Sequence, residues 1–218
     1  MMSPLRGALG PLGVSAGAAA APWWAVAGQT CVAAYKPIGE SVLATSYINL
    51  ANPGMYNAAP GVAPTLGAGG WVFDGTTQYL TTGVVPAGDR SYSLIIRYSN
   101  VTNGGYIVGT FGADNWHMSL LPVGPNVYYS HSSQSLKAPS LATGILALAG
   151  ANGYRDGVFD ISLFTAGSET TFPIVIGALN FRGTAMYHCA ATIAALAIYS
   201  TTLSAADVAA LTTRMDAL

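Results

Sequence analysis

Short runs of β-branched and aromatic residues, separated by Gly, Pro, Asn or Asp, follow one another from residue 71 to residue 200. In the run VFDISLF (158–164), Asp160 and Ser162 alternate with apolar residues, the period-two pattern of a half-buried strand. Asn152–Gly153 and Asp156–Gly157 predict tight turns. About ten strands without helices between them predict an all-β, antiparallel jelly-roll sandwich. The predicted strands are Ser46–Leu50, Trp71–Phe73, Gln78–Thr81, Tyr92–Tyr98, Tyr106–Phe111, Trp116–Leu121, Val127–His131, Ile145–Ala149, Val158–Phe164, Ile174–Leu179 and Ile193–Ser200.

One helix is predicted at the C-terminal end of the sequence. Ser204 can accept a hydrogen bond from the backbone N–H of Asp207, and Leu203 and Val208 are spaced as a hydrophobic staple. The apolar residues then recur at helical spacing, so we expect this face to pack on the sandwich; they are Val208, Leu211, Met215 and Leu218.

Residues 1–34 are small, apolar and rich in Gly, Ala and Pro, and they include Trp23 and Trp24. Such a stretch cannot form its own core, and its apolar groups are costly to leave in water. We therefore predict an extended N-terminal arm over residues 1–34 and one jelly-roll domain over residues 35–218. Trp23 and Trp24 are predicted partner-binding residues that anchor the arm in a neighbouring subunit, because aromatic anchors dominate interface energetics.

Composition removes several classes of partner. Charged residues make up 8% of the chain and the net charge is -1, too little basic charge to neutralise a phosphate track, so we expect no nucleic-acid partner. The hydrophobic content of 51% excludes a disordered chain. Residues 7–35 carry no charge, but Gly and Pro break the run, so we expect no membrane span. Cys31 and Cys189 are either two buried free thiols or a disulfide that joins the first and last strand regions.

Three stretches carry a resemblance to a known family. WVFDGTTQYL (71–80) is similar to an opening strand that turns at Gly75 and buries Tyr79, and ANGYRDG (151–157) is similar to a late hairpin. IVIG (174–177) followed by AALAIYSTTLS (194–204) is similar to the closing strand and its link to the terminal helix. Together they resemble the laminin-G-like jelly rolls of the concanavalin A-like lectin/glucanase superfamily. Ala33–Leu66 resembles segments that precede such jelly rolls in phage virion structural proteins.

The resemblance implies a non-enzymatic structural component of a phage-like virion, either a capsid decoration or cement protein or a tail protein. Its expected location is the virion, and its expected partners are other virion proteins or copies of itself, reached through the N-terminal arm. The alternative is a carbohydrate-binding adhesion module that recognises host-surface glycans. In that case Trp116, Tyr128 and Tyr129 are the candidate carbohydrate-binding residues, because aromatic rings offer flat apolar faces.

The expectation that the chain is not an enzyme depends on missing acids. Glucanases of the resembled superfamily share a Glu-x-Asp-x-Glu strand, which supplies paired carboxyl groups, whereas Glu40 and Glu169 are the only glutamates here and neither lies in such a motif. Asp156 and Asp160 flank a predicted turn. No cofactor or metal is predicted from the residues; the resemblance leaves a calcium ion open, with Asp114 and Asn115 as contributors.

Overall fold

The computed structural model describes residues 21–86, 91–112, 117–123, 126–131, 134–137, 139, 141–163 and 171–218. Within these ranges the chain forms seventeen strands and two helices. In chain order they are β1 (Cys31–Tyr35), α1 (Leu43–Ser46), β2 (Ala59–Val62), β3 (Thr65–Gly67), β4 (Gly70–Asp74), β5 (Tyr79–Thr81), β6 (Ser93–Ser99), β7 (Val108–Phe111), β8 (His117–Val123), β9 (Asn126–His131), β10 (Gln134–Lys137), β11 (Gly144–Ala149), β12 (Asn152–Arg155), β13 (Val158–Ser162), β14 (Val175–Ile176), β15 (Leu179–Phe181), β16 (Thr184–Met186), β17 (Ala190–Tyr199) and α2 (Ala205–Asp216).

The strands of the described ranges form two sheets. Sheet A has the order β13-β12-β11-β6-β17-β4-β3, and β1 pairs with the second half of β17. Sheet B has the order β10-β9-β8-β7-β14-β5-β2, and the hairpin β15–β16 joins it at β7. The pairings between these strands are antiparallel, apart from the parallel pair β15–β7. The predicted antiparallel β-sandwich with a C-terminal helix is confirmed.

The main core lies between the two sheets. Alternate residues of each strand point into it, for example Leu94 and Ile96 of β6, and Val108 of β7. Trp71 is fully buried there, and its indole Nε1 donates a hydrogen bond to Ser46 Oγ at 2.7 Å. A buried indole N–H needs such an acceptor, so this bond ties the segment around α1 to sheet A.

A strand predicted over Ser46–Leu50 does not form, and α1 ends at Ser46 instead. The reason is the buried side chain of Asn49, which replaces strand pairing with its own hydrogen bonds. Its Oδ1 accepts from the backbone N–H groups of Ala34 and Ala51, and its Nδ2 donates to the Val32 and Met55 carbonyls. Asn side chains compete with regular structure in this way.

The predicted turn at Asn152–Gly153 is also wrong. These residues begin β12, and the chain reverses two residues earlier, at residues 150–151, where Gly150 has a φ of 58°. Position 153 in this strand requires glycine because the Tyr129 ring occupies the space of a side chain. A Cβ on Gly153 would lie 2.6 Å from Tyr129 Cδ1. The turn predicted at Asp156–Gly157 does form, with φ values of 48° and 80°.

A second hydrophobic cluster covers the outer face of sheet A. It joins Ile95 and small strand residues such as Ala147 and Ala197 to the apolar face of α2 and to Trp23. Ser204 caps α2 as predicted: its side chain accepts from Asp207 N while Asp207 accepts from the Ser204 backbone. The small side chains of sheet A let the helix approach closely.

The boundary predicted after residue 34 falls inside a strand. Cys31 pairs with Tyr199 and Ala34 pairs with Ala197, so the end of the predicted arm belongs to sheet A. Residues 21–30 continue along the outer side of this sheet, and residues 1–20 lie outside the described ranges. The described part of the predicted arm is therefore part of the folded domain.

Candidate functional site

A cavity of about 260 Å³ opens on the face of sheet B that points away from sheet A. Thr81 and Val175 stand beside each other on β5 and β14 and line it, while their neighbours Leu80 and Ile176 point into the main core. The hairpin β15–β16 and strand β2 supply its sides. The described lining residues are Pro60, Gly61, Tyr79, Thr81, Phe172, Pro173, Val175, Asn180, Gly183 and Ala185.

Two aromatic rings, those of Tyr79 and Phe172, line this sheet B cavity. Tyr79 begins β5 directly after a turn in which Asp74 Oδ1 accepts the backbone N–H groups of residues 76, 77 and 78. Its ring lies against Gly61: a Cβ on Gly61 would come 2.0 Å from Tyr79 Cζ. The other neighbour of the ring is His188, at 5.9 Å between ring centroids. The tight turn thus sets the position of the Tyr79 backbone, and Gly61 leaves the space that the Tyr79 ring occupies.

One buried amide, that of Asn180, supplies the polar chemistry of the sheet B cavity. Its side chain is 6% exposed, its Nδ2 donates to the Pro173 carbonyl at 2.9 Å, and its Oδ1 accepts from Gly183 N at 2.9 Å. A primary amide has two donors and two acceptor positions, so one donor and one acceptor position remain for a ligand. Rings and a fixed amide in one concavity are the composition of a small-molecule binding site.

A larger cavity, of about 390 Å³, lies at the edge of the sandwich between the loops at residues 101–104 and 141–142. Its one side-chain amide, Asn103, has no donor left for a ligand: Nδ2 donates to the Gly75 and His188 carbonyls, while Oδ1 accepts from Ala190 N. No aromatic ring belongs to its described lining. We therefore place the candidate site in the smaller cavity.

Trp23 and Trp24 contact each other with their ring centroids 5.7 Å apart. Trp23 is 9% exposed and packs in the cluster on sheet A and α2, and Trp24 packs at its margin. Tyr199 Oη donates to the Trp24 carbonyl at 2.6 Å. This placement differs from the predicted role in a neighbouring subunit, because the indoles find their apolar contacts within their own chain.

Tyr128 and Tyr129, two of the three residues predicted for carbohydrate binding, lie on opposite faces of sheet B. Trp116 falls outside the described residues. Tyr129 is fully buried, and its hydroxyl donates to Asp160 Oδ2 at 2.9 Å, so its ring presents no face to a ligand. Burial also raises the pKa of the Tyr129 phenol well above its ordinary value. Tyr128 is half-buried on β9 and lies on the outer side of sheet B, three strands away from the cavity strand β14.

The carboxylates considered at the β12–β13 hairpin have structural partners. Asp156 Oδ1 accepts from Ile145 N at 2.8 Å, and Asp160 forms an ion pair with Arg155 at 2.9 Å. Asp114 and Asn115, the calcium contributors that the resemblance suggested, lie outside the described residues. In the ranges that the structure covers, no group of three His, Cys, Asp or Glu side chains is arranged to hold a metal ion.

Cys31 and Cys189 are free thiols at opposite ends of β17. Cys189 precedes its first residue, and Cys31 pairs with its last residue, Tyr199. A strand rises about 3.3 Å per residue, so the two cysteines lie about 30 Å apart, whereas a disulfide needs Cα atoms within about 7 Å. Burial raises the pKa of both thiols to about 12. Of the two interpretations left open by the sequence, the structure has the free thiols.

Comparisons with known proteins identify the fold. No family model matches the chain, and no curated protein matches its sequence. Among solved structures, Trypanosoma rangeli sialidase in complex with 2,3-difluorosialic acid is similar over 88% of this chain, with a TM-score of 0.62 and 13% identity. The same sialidase with sialic acid matches 85% of the chain at a TM-score of 0.59 and 14% identity, and the HCR/D W1238A mutant matches 84% at 0.55 and 9%. The present chain covers 34% and 33% of the length of the two sialidase chains and 52% of the length of the HCR/D chain.

These neighbours share the β-sandwich fold with this chain, and at such identities they show the fold alone. They also correct one prediction. The prediction from the missing carboxylate pair, that the chain is not an enzyme, is wrong as an exclusion: sialidases contain this fold, so the fold and the missing glucanase acids do not exclude enzymes. As to membranes, none of the helices in the described ranges is long and apolar enough to cross a bilayer.

Proposed function

We propose that this protein is a carbohydrate-binding module that takes part of a glycan into the sheet B cavity. The observation that carries the proposal is the combination, in a cavity of about 260 Å³, of two aromatic rings with the buried Asn180 amide, which has one donor and one acceptor position not engaged by the protein. A sugar ring has an apolar face that packs on an aromatic ring, and hydroxyl groups that both donate and accept hydrogen bonds.

Each residue of the site has a part in this proposal. The Tyr79 and Phe172 rings contact the apolar face of the sugar, and Asn180 offers its second amide hydrogen and its second acceptor position to the sugar hydroxyls. Because Asn180 is held by Pro173 and Gly183, its amide is oriented before the ligand arrives, which reduces the entropy lost on binding. The T. rangeli sialidase complex with sialic acid gives the proposal indirect support from fold similarity.

The test is a glycan array with the full chain, followed by titration calorimetry on the glycans that bind. Tyr79→Ala should weaken binding about tenfold, equal to about 1.4 kcal/mol. Tyr128→Ala is the matched control, because this tyrosine lies on the same face of sheet B but about 19 Å from β5, at about 4.8 Å per strand. Loss of binding in Tyr128→Ala with unchanged binding in Tyr79→Ala would move the site to the residues predicted from sequence.

A second proposal is a structural component of a phage-like particle, located in the virion. It is supported by the resemblance at Ala33–Leu66 and by the apolar composition of residues 1–34. Since residues 21–34 pack on their own domain, docking to another virion protein would depend on residues 1–20. Deletion of residues 1–20, with incorporation into particles as the measurement, tests it; unchanged incorporation would contradict docking through the arm. The two proposals are compatible, since an adhesion module can be part of a particle.

A further inference from the structure

We infer that the ligand of the proposed site is an uncharged oligosaccharide that is longer than the cavity, and that its continuation lies on a strip of aromatic side chains centred on Tyr187. This inference rests on the proposed function and specifies its ligand. Three observations carry it: the continuity of the aromatic side chains, the exposure and backbone of Tyr187, and the charges around the cavity.

The strip begins at the cavity wall and continues along the hairpin β15–β16. The Tyr79 ring contacts His188, whose chain neighbour is Tyr187. The Tyr187 ring lies 6.1 Å from the Tyr106 ring and 6.4 Å from the Phe181 ring. Phe181 in turn stacks on Phe111 at 4.8 Å. The step from His188 to Tyr187 is made along the backbone, and from Tyr187 the ring contacts continue to Phe111 at the end of β7.

Tyr187 is 55% exposed, and its backbone has a φ of 54°. A positive φ is unfavourable for a bulky residue, and Asn or Gly adopts it at lower cost. The backbone conformation is fixed by the Tyr106 N–H, which donates to the Tyr187 carbonyl at 3.0 Å, and the ring is not needed for that bond. An exposed ring on a costly backbone is accounted for by a ligand that stacks on it.

The charges favour an uncharged sugar. The described lining residues of the sheet B cavity contain no Lys, Arg, Asp or Glu. Arg182, on the same hairpin, is not among the described lining residues of the cavity, and its guanidinium packs over the Phe111 and Phe181 rings of the strip at 5.8 and 5.5 Å. Recognition of a carboxylate typically uses Arg in a bidentate pair, so the cavity is suited to hydroxyl groups rather than to an acidic sugar.

The experiment is titration calorimetry of the full chain with glucose, galactose, mannose and N-acetylglucosamine, each as the monosaccharide and as a linear hexasaccharide. Sialyllactose is the acidic probe. The variant is Tyr187→Asn, because Asn tolerates the positive φ and removes only the ring. The matched control is Phe159→Asn, whose ring is 54% exposed but lies on β13 of sheet A.

We expect one neutral hexasaccharide to bind more tightly than its monosaccharide. Tyr187→Asn should weaken the hexasaccharide about three- to tenfold, as expected for an aromatic contact, and leave the monosaccharide unchanged. Phe159→Asn should change neither affinity, and the melting temperature of Tyr187→Asn should stay close to that of the unchanged chain.

Three results would overturn the inference. If Tyr187→Asn leaves the hexasaccharide affinity unchanged, the strip is not part of the site, while glycan binding in the cavity stands. If only sialyllactose binds, the uncharged ligand is wrong and the proposed function still stands. If no saccharide binds in the calorimeter or on the glycan array, the proposed function and the inference fail together.

Discussion

The outer faces of the two sheets differ in what covers them. The outer face of sheet A carries alanines such as Ala147 and Ala197, and α2 and Trp23 bury it in a second hydrophobic cluster. On the outer face of sheet B, Gly109 and Ser119 occupy the corresponding middle strands, and the cavity opens beside them at β14 and β5. The same sandwich thus covers one outer face with a helix and has the cavity of the proposed site on the other.

The two faces also differ in how their side chains are held. On sheet A, Arg97 Nη1 donates to the Met215 carbonyl at the end of α2, and Arg214 Nη1 donates to the Ala25 carbonyl. Arginine side chains thus join α2 to sheet A and to the segment that contains Trp23. On sheet B, the Tyr79 ring packs against Gly61, and the Asn180 amide hydrogen-bonds to backbone groups. Both side chains line the cavity. Substitutions on sheet A should therefore change stability, and substitutions on sheet B should change binding.

The largest expected effect is the loss of stability in Leu211→Ala, a substitution in the helix α2 that packs on sheet A. Leu211 is fully buried in the second cluster, so its loss should lower the free energy of unfolding by about 3 kcal/mol, within the usual range for a buried leucine. Urea unfolding measures it. The control is Leu141→Ala, a leucine that is 38% exposed, for which we expect a change below about 0.5 kcal/mol. Equal losses in both variants would mean that α2 does not stabilise the sandwich.

Sequence patterns predicted most of the sandwich because its core strands are apolar runs bounded by turn residues and its last helix carries a complete cap. They missed β1, because Cys31–Tyr35 (CVAAY) is short and continuous with a run of small residues. They also missed the hairpin β15–β16, since the left-handed Arg182 at its turn gives no Asn or Asp signal. Short strands that depend on a distant partner, such as β2, have little pattern of their own.

The next largest effect is that of Gly61→Ala on glycan binding. The added Cβ would meet the Tyr79 ring at 2.0 Å and displace it, so we expect binding to weaken about tenfold, or about 1.4 kcal/mol. Stability should change little, because β2 is an exposed edge strand. Gly67→Ala is the control, since its Cβ would meet the end of the Val72 side chain at 3.2 Å and the Gly70 carbonyl oxygen at an ordinary 3.9 Å. Unchanged binding in Gly61→Ala would mean that the position of Tyr79 does not matter.

The candidate site was less predictable than the fold. Sequence reasoning chose Trp116, Tyr128 and Tyr129 as ring faces, yet Tyr129 points into the main core. Tyr79 was expected to be buried, whereas Leu80 takes the buried position and Tyr79 is half-buried at the cavity. In a strand of only three residues, the sequence does not show whether the middle residue or the two outer residues face the core. Gly61, whose missing side chain makes room for the Tyr79 ring, is a signal in the sequence, but it can be recognised only once β2 is known to pair with β5.

A smaller loss of stability is expected for Ser204→Ala, at the start of the helix that covers sheet A. The variant removes the acceptor of the Asp207 N–H, which lies 3.2 Å from Ser204 Oγ, and should cost about 1 kcal/mol of unfolding free energy. Thr213→Ala is the control on the same helix; it removes a local bond to the Ala209 carbonyl and should cost less, because Ala has the higher helix propensity. Thermal unfolding of both variants makes the comparison, and a larger loss for Thr213→Ala would contradict it.

The smallest effect concerns Asp74, whose turn leads from β4 of sheet A to β5 of sheet B. The backbone N–H groups of Thr77 and Thr76 donate to its carboxylate and hold its pKa well below the ordinary value. A lowered pKa in the folded state stabilises the protein above the unfolded-state pKa of about 4, and this stabilisation is lost as the pH falls through the lowered folded-state value.

The Asp74→Asn variant removes this titration, so its unfolding free energy should fall less than that of the unchanged chain between about pH 5 and about pH 2. At neutral pH the substitution should cost less than about 1 kcal/mol, because the carboxylate is exposed and screened by water. Urea unfolding at several pH values measures both effects. Because the folded protein keeps Asp74 ionised over this range, the titration should appear in the unfolding free energy and not in glycan binding by the folded protein. An identical pH dependence of the unfolding free energy in the two proteins would show that the hydrogen bonds to Asp74 do not stabilise the fold.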